Sequence, residues 1–382
     1  MSVLSEHHVS ILIDHTPQPL RLEVSSLRLA MDEEWIPYVQ ATVVCPLGDG
    51  TVTGIDPQAS DVWATITVRR ELGRLDRLAD ITRRYRGLTL AAITGRFKGR
   101  TLADFTRSAY HDYETPGVAR REEVRTWRVM LREVSTDRKA ATVTLTLASG
   151  ESRLEDWAHM SGSATRVPGA DLTAKVNYVL ALAGFPEGVT YAPANVPSDA
   201  QIGDEALRSP GSTALDFVTG LTGQHGLMLW CDEAGKWHLD SSRALAAVRT
   251  LRSAGDDRSV INAVDKRSRD DGWVTAVMLV YTWAGVDHYD IYSPQAPNPE
   301  RALIRRYNRP YPGPGRAERI FRNVSGRGRA LELLAVSTYE ASPGETVRYI
   351  TPRETVTGRL AAIEWSFPND QMSIRLREVG GA

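Results

Sequence analysis

The chain has almost no cysteine: Cys45 and Cys231 are the only two in 382 residues. Two thiols so far apart make neither a disulfide framework nor a zinc site, and both are expected to be buried and free. Long apolar runs are also missing. No stretch approaches the ~18–20 residues of a membrane-spanning helix. Glu6, His7 and His8 stand where a secretion signal would need an apolar core. A chain that is made and kept in the cytoplasm, or released by lysis, is expected. Nor is there an excess of one charge: 46 basic residues face 47 acidic ones, for a formal net charge of -1. A general nucleic-acid binder needs many uncompensated Lys and Arg side chains, so the balance argues against that class. Low net charge instead favours association through many weak surface contacts.

Catalytic signatures are equally scarce. The sequence has no Gly-x-Ser-x-Gly elbow, no His-Glu-x-x-His, no Walker loop and no Cys-x-x-Cys. Its eight histidines are scattered, without metal-ligand spacing. Asp32-Glu33-Glu34 is the densest carboxylate cluster beside an apolar segment. Catalysis by two acids needs carboxyls facing each other across a cleft, whereas three consecutive acids before Trp35 fit a solvated turn. No catalytic, metal-binding or cofactor-binding residue is expected, and the chain is read as a non-enzyme.

What the sequence does contain is strand periodicity. Val9, Ile11 and Ile13 share one face, and Val62, Ala64, Ile66 and Val68 alternate with Trp63, Thr65, Thr67 and Arg69. Period two over such lengths predicts half-buried strands. Val143, Leu145 and Leu147 repeat the pattern, closing a first β domain near residue 150. From 151 to 257 the character changes to α+β. Asp171 is placed to cap a helix carrying Leu172, Val176, Val179 and Leu180 on one face, with Gly184 as its stop. A second helix starts at Ser212 or Thr213, and a hairpin follows over 227–240. Residues 258–382 are again mostly strands. Trp273 to Trp283 is apolar on both faces, as expected of a strand covered on both sides. The last hairpin turns at Pro368-Asn369-Asp370. The predicted architecture is mainly β with a smaller α+β part: two β-barrel-like domains, 1–150 and 258–382, flank a helix-hairpin domain at 151–257.

One segment departs from this pattern. Over 71–120 the strand period is lost and basic residues crowd together. Arg69, Arg70, Arg74, Arg77, Arg83, Arg84, Arg86, Arg96, Lys98, Arg100 and Arg107 are opposed by Glu71, Asp76, Asp80 and Asp104. Two readings stand side by side: a solvated excursion from the sheet, or a ring-interface or channel-lining element whose field is multiplied by symmetry. Aromatic residues are too sparse among these charges for a dedicated DNA-binding strip.

The order of the segments resembles the baseplate-hub, or minor tail, proteins of siphophages that infect actinobacteria. Three stretches carry the likeness. They are Leu27 to Val43 with Trp63 to Arg70, then Ala214 to Val218 through Leu229 to Trp237, and finally Gly358 to Trp365 with Met372 to Leu376. That family is similar in design to the hub of contractile tails, where two related barrels per subunit make a trimer look six-fold. The resemblance implies a homotrimeric virion protein at the tail tip, assembled in the host cytoplasm. It would meet a distal tail protein ring, the tape-measure protein and other tail-tip or fibre proteins, with DNA present only in transit through the channel. The last predicted strand lies close to the C-terminus, so no appended hydrolase or fibre segment is expected. Two alternatives remain open at this point. A cell-wall-degrading tail enzyme would show a cleft with a perturbed carboxylate pair, and a receptor-binding tail protein would show exposed aromatics in a groove.

Overall fold

The structure is a computed structural model. It describes residues 3–14, 19–34, 36–47, 55–58, 61–74, 121–241, 245–255, 258–269, 273–294, 301–308 and 310–381. The first group of strands is β1 (Val3–Ile13), β2 (Leu20–Glu23), β3 (Ser26–Asp32), β4 (Val39–Pro46), β5 (Trp63–Arg74), β6 (Arg121–Asp137) and β7 (Thr142–Ala148). The alternation in the sequence becomes alternation in space: along β5, Ala64, Ile66 and Val68 are fully buried, while the residues between them are half-buried or exposed.

The middle part holds helices α1 (Glu151–Asp156), α2 (Leu172–Leu182), α3 (Asp199–Ile202) and α4 (Ala214–Gln224), with strands β8 (Thr165–Arg166), β9 (Val189–Tyr191), β10 (Leu207–Arg208), β11 (Met228–Cys231) and β12 (Trp237–Asp240). Asp171 caps α2 as expected, its carboxylate accepting from the Ala174 N–H at 2.8 Å. Thr213 caps α4 through the Asp216 N–H. Helices and hairpin enclose a core of Leu172, Val176, Leu180, Val218, Leu221 and Trp237. Gly150 leads into α1 at a point where a Cβ would lie 3.0 Å from the Cys231 sulfur, so only glycine fits without displacement.

The last part contains β13 (Val248–Arg252), β14 (Val260–Arg267), β15 (Ala276–Trp283), β16 (Val286–Tyr292), β17 (Ala302–Tyr307), helix α5 (Arg316–Val324), β18 (Arg329–Val336), β19 (Thr346–Ile350), β20 (Thr355–Phe367) and β21 (Gln371–Gly381). Strands 15 to 17 form a small sheet of their own, in the order β16-β15-β17, with α5 packed on one face.

The remaining strands correct the picture of two barrels. Thirteen of them form one sheet along the path β14-β18-β21-β20-β3-β4-β7-β6-β5-β1-β2, with β13 and β19 branching from β20, and no closed barrel occurs among the described residues. The reason is one pairing: β3 lies antiparallel to β20, with Asp32 opposite Ala362 and Leu27 opposite Phe367. That ladder joins the N-terminal and C-terminal strands into a single hydrogen-bonded layer. A shared core follows, in which Ile11, Val43, Ile66 and Trp127 pack in one cluster with Leu333, Leu360, Trp365 and Ile374. Among the described residues no helix is long and apolar enough to cross a membrane.

Candidate functional site

The Arg-rich stretch begins inside the sheet. β5 pairs β1 on one side and β6 on the other, as far as Val3 opposite Arg74 and Leu72 opposite Arg121. Arg69 and Arg70 point to opposite faces of this ribbon, so their environments differ. Arg69 is exposed. Arg70 is buried, 3.5 Å from the Glu123 carboxylate and 3.9 Å from Asp370. Glu123 also accepts from the Tyr339 N–H and the Thr338 hydroxyl. His7 completes the group, 3.0 Å from both the Tyr339 hydroxyl and Asp370. Burial pushes the Tyr339 phenol above its ordinary range. Arg70 is therefore engaged within its own chain, at the root of the stretch. Arg74 lies on the described end of β5. Arg77, Arg83, Arg84, Arg86, Arg96, Lys98, Arg100 and Arg107 lie outside the described residues.

A second arginine had no signal in the sequence, yet three regions meet on it. Arg125 of β6 donates to the Tyr339 carbonyl at 2.9 Å, to the Ser342 hydroxyl at 2.7 Å and to Glu233 in the β11–β12 turn at 2.8 Å. Its guanidinium stacks 5.3 Å from the Trp127 ring and 5.6 Å from Trp365. A planar cation with five donors suits this role; a lysine could not serve several acceptors and two rings at once.

The acidic turn after β3 also differs from the solvated turn expected of it. Asp32 is only 2% exposed. Its carboxylate takes a hydrogen bond from Arg375 at 2.5 Å and turns back to accept the Glu34 N–H at 2.9 Å. Glu33 pairs with Arg359 at 2.5 Å, while Glu34 meets Arg377 and Arg327. The three carboxylates thus face four guanidiniums from β20, β21 and the segment before β18. Because β3 and β20 are adjacent, the ion pairs sit on the ladder that joins the two ends of the chain. Asp32 and Glu33 are desolvated, whereas Glu34, Arg327 and Arg375 keep contact with solvent; charge-assisted pairs of the buried kind fix geometry more than they add stability.

The arrangement is one for holding parts together. A cleft of about 440 Å3 opens between the acidic turn and α4, lined by Ile36, Thr219, Met228, Arg327 and Arg359 besides Glu33 and Glu34. Both carboxylates there are already ion-paired. Both cysteines are buried and free, as expected. Burial pushes the Cys45 thiol up to about 11 and the Cys231 thiol well above its usual value, which makes both poor nucleophiles. No group of three or more His, Cys, Asp or Glu side chains suited to a metal ion occurs among the described residues. Trp127, Trp237 and Trp365 are core residues, whereas Trp283 is 47% exposed.

The fold itself has counterparts among solved structures. The chain is similar to the tail protein from Neisseria meningitidis MC58, with a TM-score of 0.61 and 12% identity over 97% of each chain. It is also similar to the 43 kDa tail protein of prophage MuSo2 from Shewanella oneidensis, with a TM-score of 0.54 and 12% identity over 96% of this chain and 98% of that one. The prophage tail protein gp18 from Listeria monocytogenes EGD-e matches with a TM-score of 0.54 and 8% identity, over 97% and 94%. No family model and no curated protein sequence matches the chain. The resemblance read from the sequence thus holds in the fold, which is that of phage tail proteins along essentially the whole chain.

Proposed function

We propose that the protein is a structural, non-catalytic subunit of the tail tip of a tailed bacteriophage. In this reading it is a baseplate hub, or minor tail, protein of siphophage type. It forms a homotrimeric ring in which the strand-rich halves of each chain repeat around the axis, continues the tail channel, and anchors a distal tail protein ring, the tape-measure protein and other tail-tip proteins. Assembly takes place in the host cytoplasm. The observation that carries the reading is the length of the match: tail proteins from three bacterial genomes superimpose over 94–98% of their own chains. The stapled junction of β3 and β20 supports it, since a subunit that bears load along a tail gains from a shared core.

The basic stretch receives a place in the same proposal. With Arg70 anchored internally, the exposed Arg69 and the arginines and lysine from Arg74 to Arg100 are assigned to contacts between ring subunits or to the channel wall. Counting copies in a density map of purified tail tips tests the ring: three are expected, and one or six would overturn it. Reversal of Arg83, Arg84 and Arg86 to Glu is expected to impair tail assembly or genome delivery. Normal infectivity of that variant would return the stretch to a solvated loop.

A further inference from the structure

The small sheet β16-β15-β17 has two unlike faces. On one, Val277, Leu279 and Tyr281 pack against Ala317, Ile320 and Val324 of α5. That helix is fixed to the sheet by Asp290 of β16. Its buried carboxylate accepts from the Arg316 and Ala317 N–H groups at 2.8 and 2.9 Å, an acid at a helix start where charge and orphan donors match. The other face is also apolar: among the described residues Ala276 and Val280 at its centre are buried, while the flanking residues of β16 and β17 are exposed. Ile291, Met278 and Ile304 form one cross-strand row, and Tyr289, Val280 and Arg306 the next. Ile291 is 60% exposed, Ile304 54% and Tyr289 52%. β15 is thus buried on both faces, as a strand apolar on both sides requires, but among the described residues the apolar side chains that β16 and β17 add to this face stay open.

Both outer strands are also edges. Among the described residues neither β16 nor β17 pairs with anything except β15. An unpaired edge with exposed apolar side chains is a template for another strand. The two edges carry opposite charge on the bare face: Asp287 on β16 and Arg306 on β17, both exposed. β16 runs antiparallel to β15 and β17 runs parallel to it, so the two edge strands are antiparallel to each other. An antiparallel ladder between β17 of one copy and β16 of the next would set Ile304 beside Ile291. Arg306 would then lie beside Tyr289 and diagonal to Asp287, within reach of a long side chain. The β14 edge of the large sheet is less suited, because a register shift between Val260 and Asn262 interrupts β14.

We propose that this sheet is an interface between copies of the chain, joined head to tail by addition of β17 of one copy to β16 of the next. The contact uses two different edges, so it generates rotation rather than a two-fold dimer. It rests on the ring reading above and names the surface by which the ring closes.

The test uses the full chain carrying Ile291→Cys and Ile304→Cys together, with the two buried native cysteines left in place. Within one copy these positions lie two strands apart, about 9–10 Å, too far for a disulfide, which needs Cα atoms within roughly 7 Å. Mild oxidation of the concentrated protein is expected to give a ladder of covalent multimers from the double variant and none from either single variant. Absence of multimers from the double variant overturns the proposal, and so does a covalent dimer from a single one. Arg306→Glu is expected to slow the ladder about two- to fivefold, and adding Asp287→Arg to restore it; failure of the swap to restore it overturns the charge pairing. Copy number in assembled tail tips judges the ring separately. Several copies without cross-linking would remove this contact and leave the ring, whereas a single copy would remove the ring itself.

Discussion

The junction of β3 with β20 and the outer face of the β15 sheet put the same kinds of residue to opposite use. At the junction, charge is buried and apolar groups are covered. Asp32 is 2% exposed against Arg375, and Trp365 is 1% exposed between Trp127 and Tyr339. On the outer face, isoleucines stand in solvent and the charges flank them. The first region has met its partners inside the chain. The second has the composition of an interior without one, which is how a surface awaiting assembly differs from a core.

The comparison predicts a graded series of effects. Trp365→Ala removes a fully buried ring and the hydrogen bond from its indole N–H to the Thr338 carbonyl. A loss of about 3–5 kcal/mol is expected, read as a large fall in the urea midpoint. A loss below 1 kcal/mol would mean that the two ends of the chain are not held by a shared core. Asp32→Ala comes next, because it removes the nearer carboxylate from Arg375, which is partly exposed and keeps Glu34 at 3.9 Å; roughly 1.5–3 kcal/mol is expected, with the same measurement. An unchanged midpoint would place that carboxylate in water after all.

A surface pair sharpens the contrast. Asp265 on β14 bonds Arg329 at 2.7 Å with both side chains partly exposed, and the hydrogen bond from Arg329 holds its carboxyl below the usual range. Asp265→Asn is therefore expected to cost less than about 1 kcal/mol at neutral pH. The sign of the pH dependence follows from the lowered value. Whatever the pair contributes is fully present above the unfolded carboxylate pKa of about 4 and is lost as pH falls through the folded value. The midpoints of Asp265→Asn and the parent chain should converge in acid, and a gap that widens there would reverse the assignment. The smallest effect is expected on the bare face. Ile304→Ser should shift stability by no more than about 0.5 kcal/mol while weakening self-association measured by sedimentation. A large loss of stability would show that the isoleucine already has an intramolecular role.

Much of the fold was legible because its cause is local. The alternation in β5 and β7, the Asp171 and Thr213 caps and the final hairpin all follow from period and capping chemistry within a few residues. β16, with Val-Asp-His-Tyr-Asp-Ile-Tyr, carries no clean alternation to mark it, because its side chains on both sides are largely exposed. The acidic turn hides its role for a different reason. Asp32, Glu33 and Glu34 look solvated until Arg359, Arg375 and Arg377 are brought across from the far end of the chain, and nothing near residue 32 announces them. The two barrels became one open sheet through the same long-range pairing. Of the basic stretch, the inward turn of Arg70 against the outward Arg69 is implied by period two, but its partner Glu123 is not.

The β3–β20 ladder also has a consequence for synthesis. Asp32 pairs with Ala362, about 330 residues later. At a translation rate of roughly 10 residues per second, the edge of β3 waits about half a minute for its neighbour to leave the ribosome. Throughout that interval Leu27, Leu29 and Met31 have β4 on one side and nothing on the other. Nascent chains on one message, each with the same open edge, are a hazard to one another, and high contact order slows the closing step further. A host chaperone that shields the growing chain would matter more for this protein than for one whose strands pair in the order they are made.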